Sequence, residues 1–191
     1  MSAVIFRLGL ATAIFISAVS TGVAQDDRQD NRQDDQPHCQ DDAGEREAST
    51  PDSQFELPRD GTVIHRTTEL QWAKCALGQT WSRESCTGQA TSFRWPDANQ
   101  AIENVNESGD LSGYTDWRLP TRQELESIVE RCRTAPAINT RIFPNTPRTG
   151  FWSSSLDTEN DNHAWFVDFY SGHALEYLRG ASYRVRPVRS R

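Results

Sequence analysis

Oxygen donors crowd one short stretch of this chain. Asp157, Glu159 and Asp161 alternate with Thr158, Asn160 and Asn162, and carboxylates with side-chain amides are the donors a calcium ion takes. These three acids are the candidate calcium ligands, and no other cofactor is expected. The run lacks the regular spacing of a calcium-binding loop, so a solvated acidic turn is the competing reading. The four cysteines, Cys39, Cys75, Cys86 and Cys132, contain no Cys-x-x-Cys pair, and although His38 adjoins Cys39 the set lacks the cysteine and histidine spacing of a zinc site. They point to disulfides. Cys75 and Cys86 enclose a short polar loop and are expected to bridge, which leaves Cys132 either to pair with Cys39 or to stay free. His38, His65, His163 and His173 are scattered. Ser153, Ser154 and Ser155 follow Trp152 without the glycines of a nucleophile elbow. No convergent acid, base or nucleophile is visible, so no catalytic residue is assigned and an enzyme is not expected.

Six tryptophans are many for a chain of this size, and most are expected in the core. Trp81 lies inside the cysteine loop, where burial is least assured. It is the candidate aromatic for contact with a ligand, together with the acidic loop from Asp157 to Asp161.

The elements that would hold these residues follow from periodicity and punctuation. Thr62 to Ala73 alternates and predicts two short strands broken at Arg66 to Glu69. Pro96 suits a first helical position, and Ala98, Ala101, Ile102 and Val105 continue at helical spacing until Asn106 and Gly109. Pro120 ends the segment before it, while Thr121 and Glu124 form a capping-box pair. A second helix is expected there, with Leu125, Ile128, Val129 and Cys132 on its buried face. From Gly150 the period changes to two, and Ala164 to Tyr170 and His173 to Leu178 flank a Ser171-Gly172 turn as a hairpin. The C-terminal arginines alternate with Val185 and Val188 and read as a terminal strand with its arginines outward. The sum is an α+β plan, two helices packed on short antiparallel sheets and stapled by disulfide.

Composition divides the chain. Residues 1–24 carry Arg7, an apolar run from Leu8 to Val19 and the small residues Gly22-Val23-Ala24, which reads as a signal peptide. The run is too short for a confident membrane span, and nothing further on is long and apolar enough to be one. Residues 25–54 hold ten acidic against three basic residues and almost no large apolar side chain. They read as a disordered acidic tether. Residues 55–191 hold seventeen acidic and sixteen basic residues, so the domain is nearly neutral and offers no basic field for nucleic acid. A secreted or periplasmic location is expected, with no membrane span in the mature chain.

Particular runs also carry a family resemblance. They are Asp60-Gly61-Thr62-Val63 through Leu70-Gln71-Trp72, Leu77-Gly78-Gln79-Thr80-Trp81, Trp117-Arg118-Leu119-Pro120-Thr121, Phe143-Pro144-Asn145-Thr146, Trp152-Ser153-Ser154-Ser155 and Val185-Arg186-Pro187-Val188-Arg189. In this order they resemble the Lcl C-terminal domain family, found at the end of bacterial collagen-like surface adhesins. More distantly, Arg118-Leu119-Pro120-Thr121 is similar to the formylglycine-generating enzymes. The resemblance implies a C-type-lectin-like fold and an exported adhesion module that binds an extracellular glycan or protein, the alternatives being a structural envelope component without a ligand and an envelope enzyme. It does not carry over the oxidase chemistry, because no cysteine follows Cys132. Fold alone does not fix a reaction.

Overall fold

The computed structural model describes residues 39–41 and 44–191, and of residues 39–46 the backbone alone. These lie within one compact unit, Asp35–Arg191. The signal peptide falls outside the described residues, as does the tether before residue 39. Among the described residues no helix is long and apolar enough to cross a membrane.

In chain order the strands are β1 (Cys39–Asp41), β2 (Gly44–Arg46), β3 (Phe55–Glu56), β4 (Thr62–His65), β5 (Leu70–Ala73), β6 (Thr80–Ser82), β7 (Ser85–Thr87) and β8 (Phe93–Arg94). Helices α1 (Trp95–Ser108) and α2 (Arg122–Glu126) follow, then β9 (Gly150–Leu156), β10 (His163–Asp168), β11 (His173–Leu178), β12 (Ser182–Tyr183) and β13 (Val188–Ser190). The fold is α+β, with small antiparallel sheets ordered β13-β5-β4-β3, β11-β10-β9, β12-β8, β6-β7 and β1-β2. The break between β4 and β5 falls at the four residues the alternation marks. All eight residues of these two strands are buried, and β13 returns from the far end of the chain to pair with β5.

β9 and β10 divide the core. Side chains alternate across a strand, so Phe151 and Val167 join one apolar cluster with Leu125, Ile128 and Phe143. Trp152 and Phe166 join the other, with Ile102, Trp117 and Leu119. Helix α1 starts at Trp95, one residue before the proline expected at its first position, and ends where Gly109 takes a left-handed φ of 65°. The capping box is also present: Glu124 N donates to Thr121 Oγ1 at 3.2 Å, and Thr121 N donates to Glu124 Oε2 at 2.7 Å. Arg118 clamps the same carboxylate at 2.7 and 2.8 Å.

Three expectations need correction. Helix α2 is only five residues long, so Ile128 and Val129 are buried from a turn rather than from a helical stripe, and Cys132 is half-buried. The helix stops because Ser127 Oγ donates to Glu124 O at 2.6 Å, and Val129 turns away to bridge Ile138. The arginines of the C-terminal segment do not all face outward. Arg186 is wholly buried, donating to Ala73 O at 2.9 Å, to Lys74 O and to Thr146 Oγ1 at 2.8 Å, between the rings of Phe143 and Phe151. Burial without an acid pushes its pKa down to about 9, so it is still charged at neutral pH.

The tether boundary also moves. Ala48 and Thr50, expected in the tether, are buried in the domain. The backbone N–H and hydroxyl of Ser49 and of Thr50 all donate to the carboxylate of Glu130, at 2.8 to 2.9 Å. Asn139 Nδ2 donates to Thr50 O at 3.0 Å and to Asp52 Oδ1 at 2.7 Å. The acidic composition hid a strap that the domain needs to satisfy its own buried carboxylate.

Candidate recognition site

The Cys75–Cys86 disulfide forms as expected, with Cα atoms 5.4 Å apart. It closes a loop that contains the β6–β7 hairpin, where Trp81 stands opposite Cys86. The tip residues Arg83 and Glu84 take positive φ angles of 49° and 65°, which keeps the turn tight and both side chains exposed. Cys132 is also disulfide-bonded. That excludes the alternative in which Cys132 stays free, while the side chain of Cys39, its other candidate partner, is outside the described residues.

Trp81 is half-buried, as are Trp95 and Trp165, whereas Trp72, Trp117 and Trp152 are in the core. Trp81 rests on Gly61. At that position φ is +87°, and a Cβ would stand 2.9 Å from the indole, so only glycine leaves room for the ring. The indole is a wall shared by two clefts. One, of about 590 Å³, includes Asp60, Gln79, Asp110 and Ser112. The other, of about 720 Å³, includes Leu57, Arg59, Lys74, Arg83, Glu84 and Arg141. In the second cleft the Lys74 ammonium lies over the Trp81 ring, 4.3 Å from its centroid. Burial lowers the Lys74 pKa, and Asp60 and Glu84 offset part of that effect. The stacking surface expected of Trp81 is therefore occupied by a cation on the face that Lys74 covers.

The acidic loop lies elsewhere. Asp157 and Glu159 line a third cleft, of about 440 Å³, with Arg122, Ser155, Trp165 and Glu176, and this cleft shares no residue with those at Trp81. The structure therefore does not bring the two expected contact regions into one site. The candidate calcium ligands do not converge either. Asp157 Oδ1 accepts from Glu159 N at 3.0 Å, and Asn160 Oδ1 accepts from Asn162 N at 3.1 Å, so these side chains cap their own turn. Asp161 does not line the cleft. Among the described residues, no three His, Cys, Asp or Glu side chains are grouped to hold a metal. The serine run is engaged in the fold: Ser153 Oγ donates to Trp165 O at 2.7 Å, and Ser155 Oγ accepts from Arg122 N at 3.0 Å.

Residues 61–189 match the Lcl C-terminal domain. The chain belongs to the Lcl C-terminal domain family. No curated protein matches the chain significantly. The match to this Lcl domain spans the β4–β5 hairpin, both Trp81 clefts except for Leu57 to Asp60, the acidic loop and the first two residues of β13. A disulfide fits an exported Lcl domain.

Trp81 is legible in the sequence through its place in the cysteine loop, whereas Leu57, Arg59, Lys74, Arg83 and Arg141 are not. No spacing joins these positions. They meet because β4 and β5 pair antiparallel with Thr62 opposite Ala73, which brings Arg59 and Lys74 together at the open end of one hairpin, where Arg83 of the disulfide-closed loop joins them.

Proposed function

We propose that this Lcl domain is an exported recognition and adhesion module, secreted or periplasmic, of C-type-lectin-like architecture. It binds an extracellular glycan or protein rather than turning over a substrate. The observation that carries this reading is Trp81, fixed between two clefts by a disulfide-stapled hairpin whose polar tip is exposed. Recognition residues commonly sit on loops held by a rigid scaffold, and this hairpin is such a loop. The acidic loop is a subsidiary contact at most, and the reading uses no calcium.

The test is retention of the full chain on immobilised extracellular glycans and proteins. Retention should survive a chelator and fall on double substitution of Arg59→Ser and Arg83→Ser, with the unfolding midpoint unchanged. If Tyr170→Ala or Tyr177→Ala abolished retention while the arginine variant kept it, the binding face would lie on the β10–β11 sheet instead. Retention on none of the surfaces would count against recognition altogether.

A further inference from the structure

Lys74 is the one lysine of the chain; its other nineteen cationic side chains are arginine. It is 6% exposed, lines the larger cleft, and no carboxylate lies within ion-pair distance of it among the described residues. Among the described residues its close charge contact is the Trp81 ring, with Asp60 and Glu84 acting from a distance. A lysine buried to this degree with no counterion is costly to the fold even where the ammonium still reaches solvent. Here it opens on a cleft whose other cations are Arg59, Arg83 and Arg141, of which Arg141 already pairs with Asp52 at 3.3 Å.

The same cleft presents apolar surface of a particular kind. Leu57 is 49% exposed, and among the described residues the five other exposed large apolar side chains, Leu156, Tyr170, Leu175, Tyr177 and Leu178, all lie on or beside the β9–β11 sheet. Leu57 and Pro58 face the cleft together with Trp81. A sugar ring packs its C–H face on an aromatic face, and the ammonium already covers a face of Trp81. Aliphatic surface suits an apolar side chain better. A compact, strongly hydrated ammonium also matches a carboxylate better than it matches a diffuse sulfate ester.

From the recessed ammonium and the exposed leucine in one cleft, we infer that the partner is an acidic protein segment that places a carboxylate on Lys74 and a neighbouring apolar side chain on Leu57. This rests on the recognition reading and narrows its ligand. The exposed guanidiniums of Arg59 and Arg83 then serve as the rim, steering an acidic segment toward the recessed cation.

The single lysine makes the test direct. Reductive methylation of the full chain with carbon-13 labels Lys74 and the terminal amine, and the Lys74 resonance reports its own protonation. The probe is a blocked peptide of alternating glutamate and leucine, compared with its glutamine–leucine and glutamate–serine counterparts and with a galacturonate oligomer. The glutamate–leucine peptide should shift the Lys74 signal and raise its titration midpoint, and the glutamine peptide should do neither. Lys74→Met should weaken peptide binding by about tenfold or more, a loss of about 1.4 kcal/mol. Leu57→Ser, at an exposed position that leaves the fold intact, should weaken it about fivefold and remove the preference over the glutamate–serine peptide. Equal binding of the glutamine peptide, or unchanged affinity in Leu57→Ser, would overturn the proposal. Movement of the Lys74 signal by the galacturonate oligomer alone would overturn it too, while leaving recognition by this cleft standing. If no probe moves that signal the proposal fails, and retention of the chain on extracellular surfaces decides separately whether recognition fails with it.

Discussion

Glu130 and Lys74 are both buried ions, and the molecule treats them in opposite ways. Glu130 is 1% exposed and receives four hydrogen bonds from Ser49 and Thr50. Lys74 is 6% exposed and receives a tryptophan face. Burial would raise the Glu130 pKa, but the bonds from Thr50 and Ser49 outweigh it and hold the carboxyl below its ordinary value. For Lys74, burial prevails and the pKa falls. A charge whose partners come from the same chain is part of the fold, whereas one left facing a cleft is available to something outside it.

The contrast breaks most visibly at Glu130. Glu130→Ala leaves four donors without their acceptor and detaches the strap, so it should cost about 3 kcal/mol in a urea titration. A loss below about 1 kcal/mol would mean that water replaces the carboxylate easily and that the strap is peripheral.

Acid should separate two contributions. The folded pKa of Glu130 lies below 4.5, so the stability it confers is present above that value and is lost as pH falls through the lowered folded pKa. His65 acts higher. It is buried, stacks on Phe55 with ring centroids 4.9 Å apart, and has its pKa lowered by burial from 6.5. Below 6.5 the unfolded chain takes up a proton that the folded chain refuses, so stability falls with pH from 6.5 down to the folded value. Both groups hold the strap, His65 through β3 and Glu130 through Ser49 and Thr50. His65→Phe should remove the upper part of the acid dependence and Glu130→Gln the lower. A stability curve that is flat from neutral pH to below 4.5 would remove the strap from the account.

Much of this fold was legible because its signals are local. The β4–β5 break, the Gly109 stop, the Thr121 and Glu124 cap and the Cys75–Cys86 loop each depend on residues within about a dozen positions. Arg186 was misread because its burial depends on acceptors at Ala73, Lys74 and Thr146, which no local pattern reveals. The strap was misread for the same reason, since its buried partner is Glu130, 80 residues away in sequence from Thr50. The site was half legible. Trp81 stood out by its place in the cysteine loop, but Leu57, Lys74 and Arg141 become neighbours only after folding.

The cap gives a middle-sized effect. Thr121→Ala removes one half of the capping box but leaves Arg118 on Glu124, so the cost should be about 1 kcal/mol in the same titration. No change in the midpoint would show that the arginine clamp alone fixes the start of α2.

The smallest expected effect is also the most discriminating. If Lys74 is a structural ion like Glu130, Lys74→Met should destabilise strongly. If it is held for a ligand, the substitution removes an uncompensated buried charge and keeps the volume of the side chain. The cation–π contact with Trp81 is lost, which costs about 0.5 to 2 kcal/mol, the upper end applying to a desolvated pair, while relief of the desolvated ammonium works in the other direction. The net change should lie within about 1 kcal/mol of zero or be stabilising, at the same time as peptide binding is lost. A loss of several kcal/mol would place Lys74 with Glu130 among the groups that build the domain. Stability kept and binding lost would show a residue retained at a cost to folding because the cleft needs its charge.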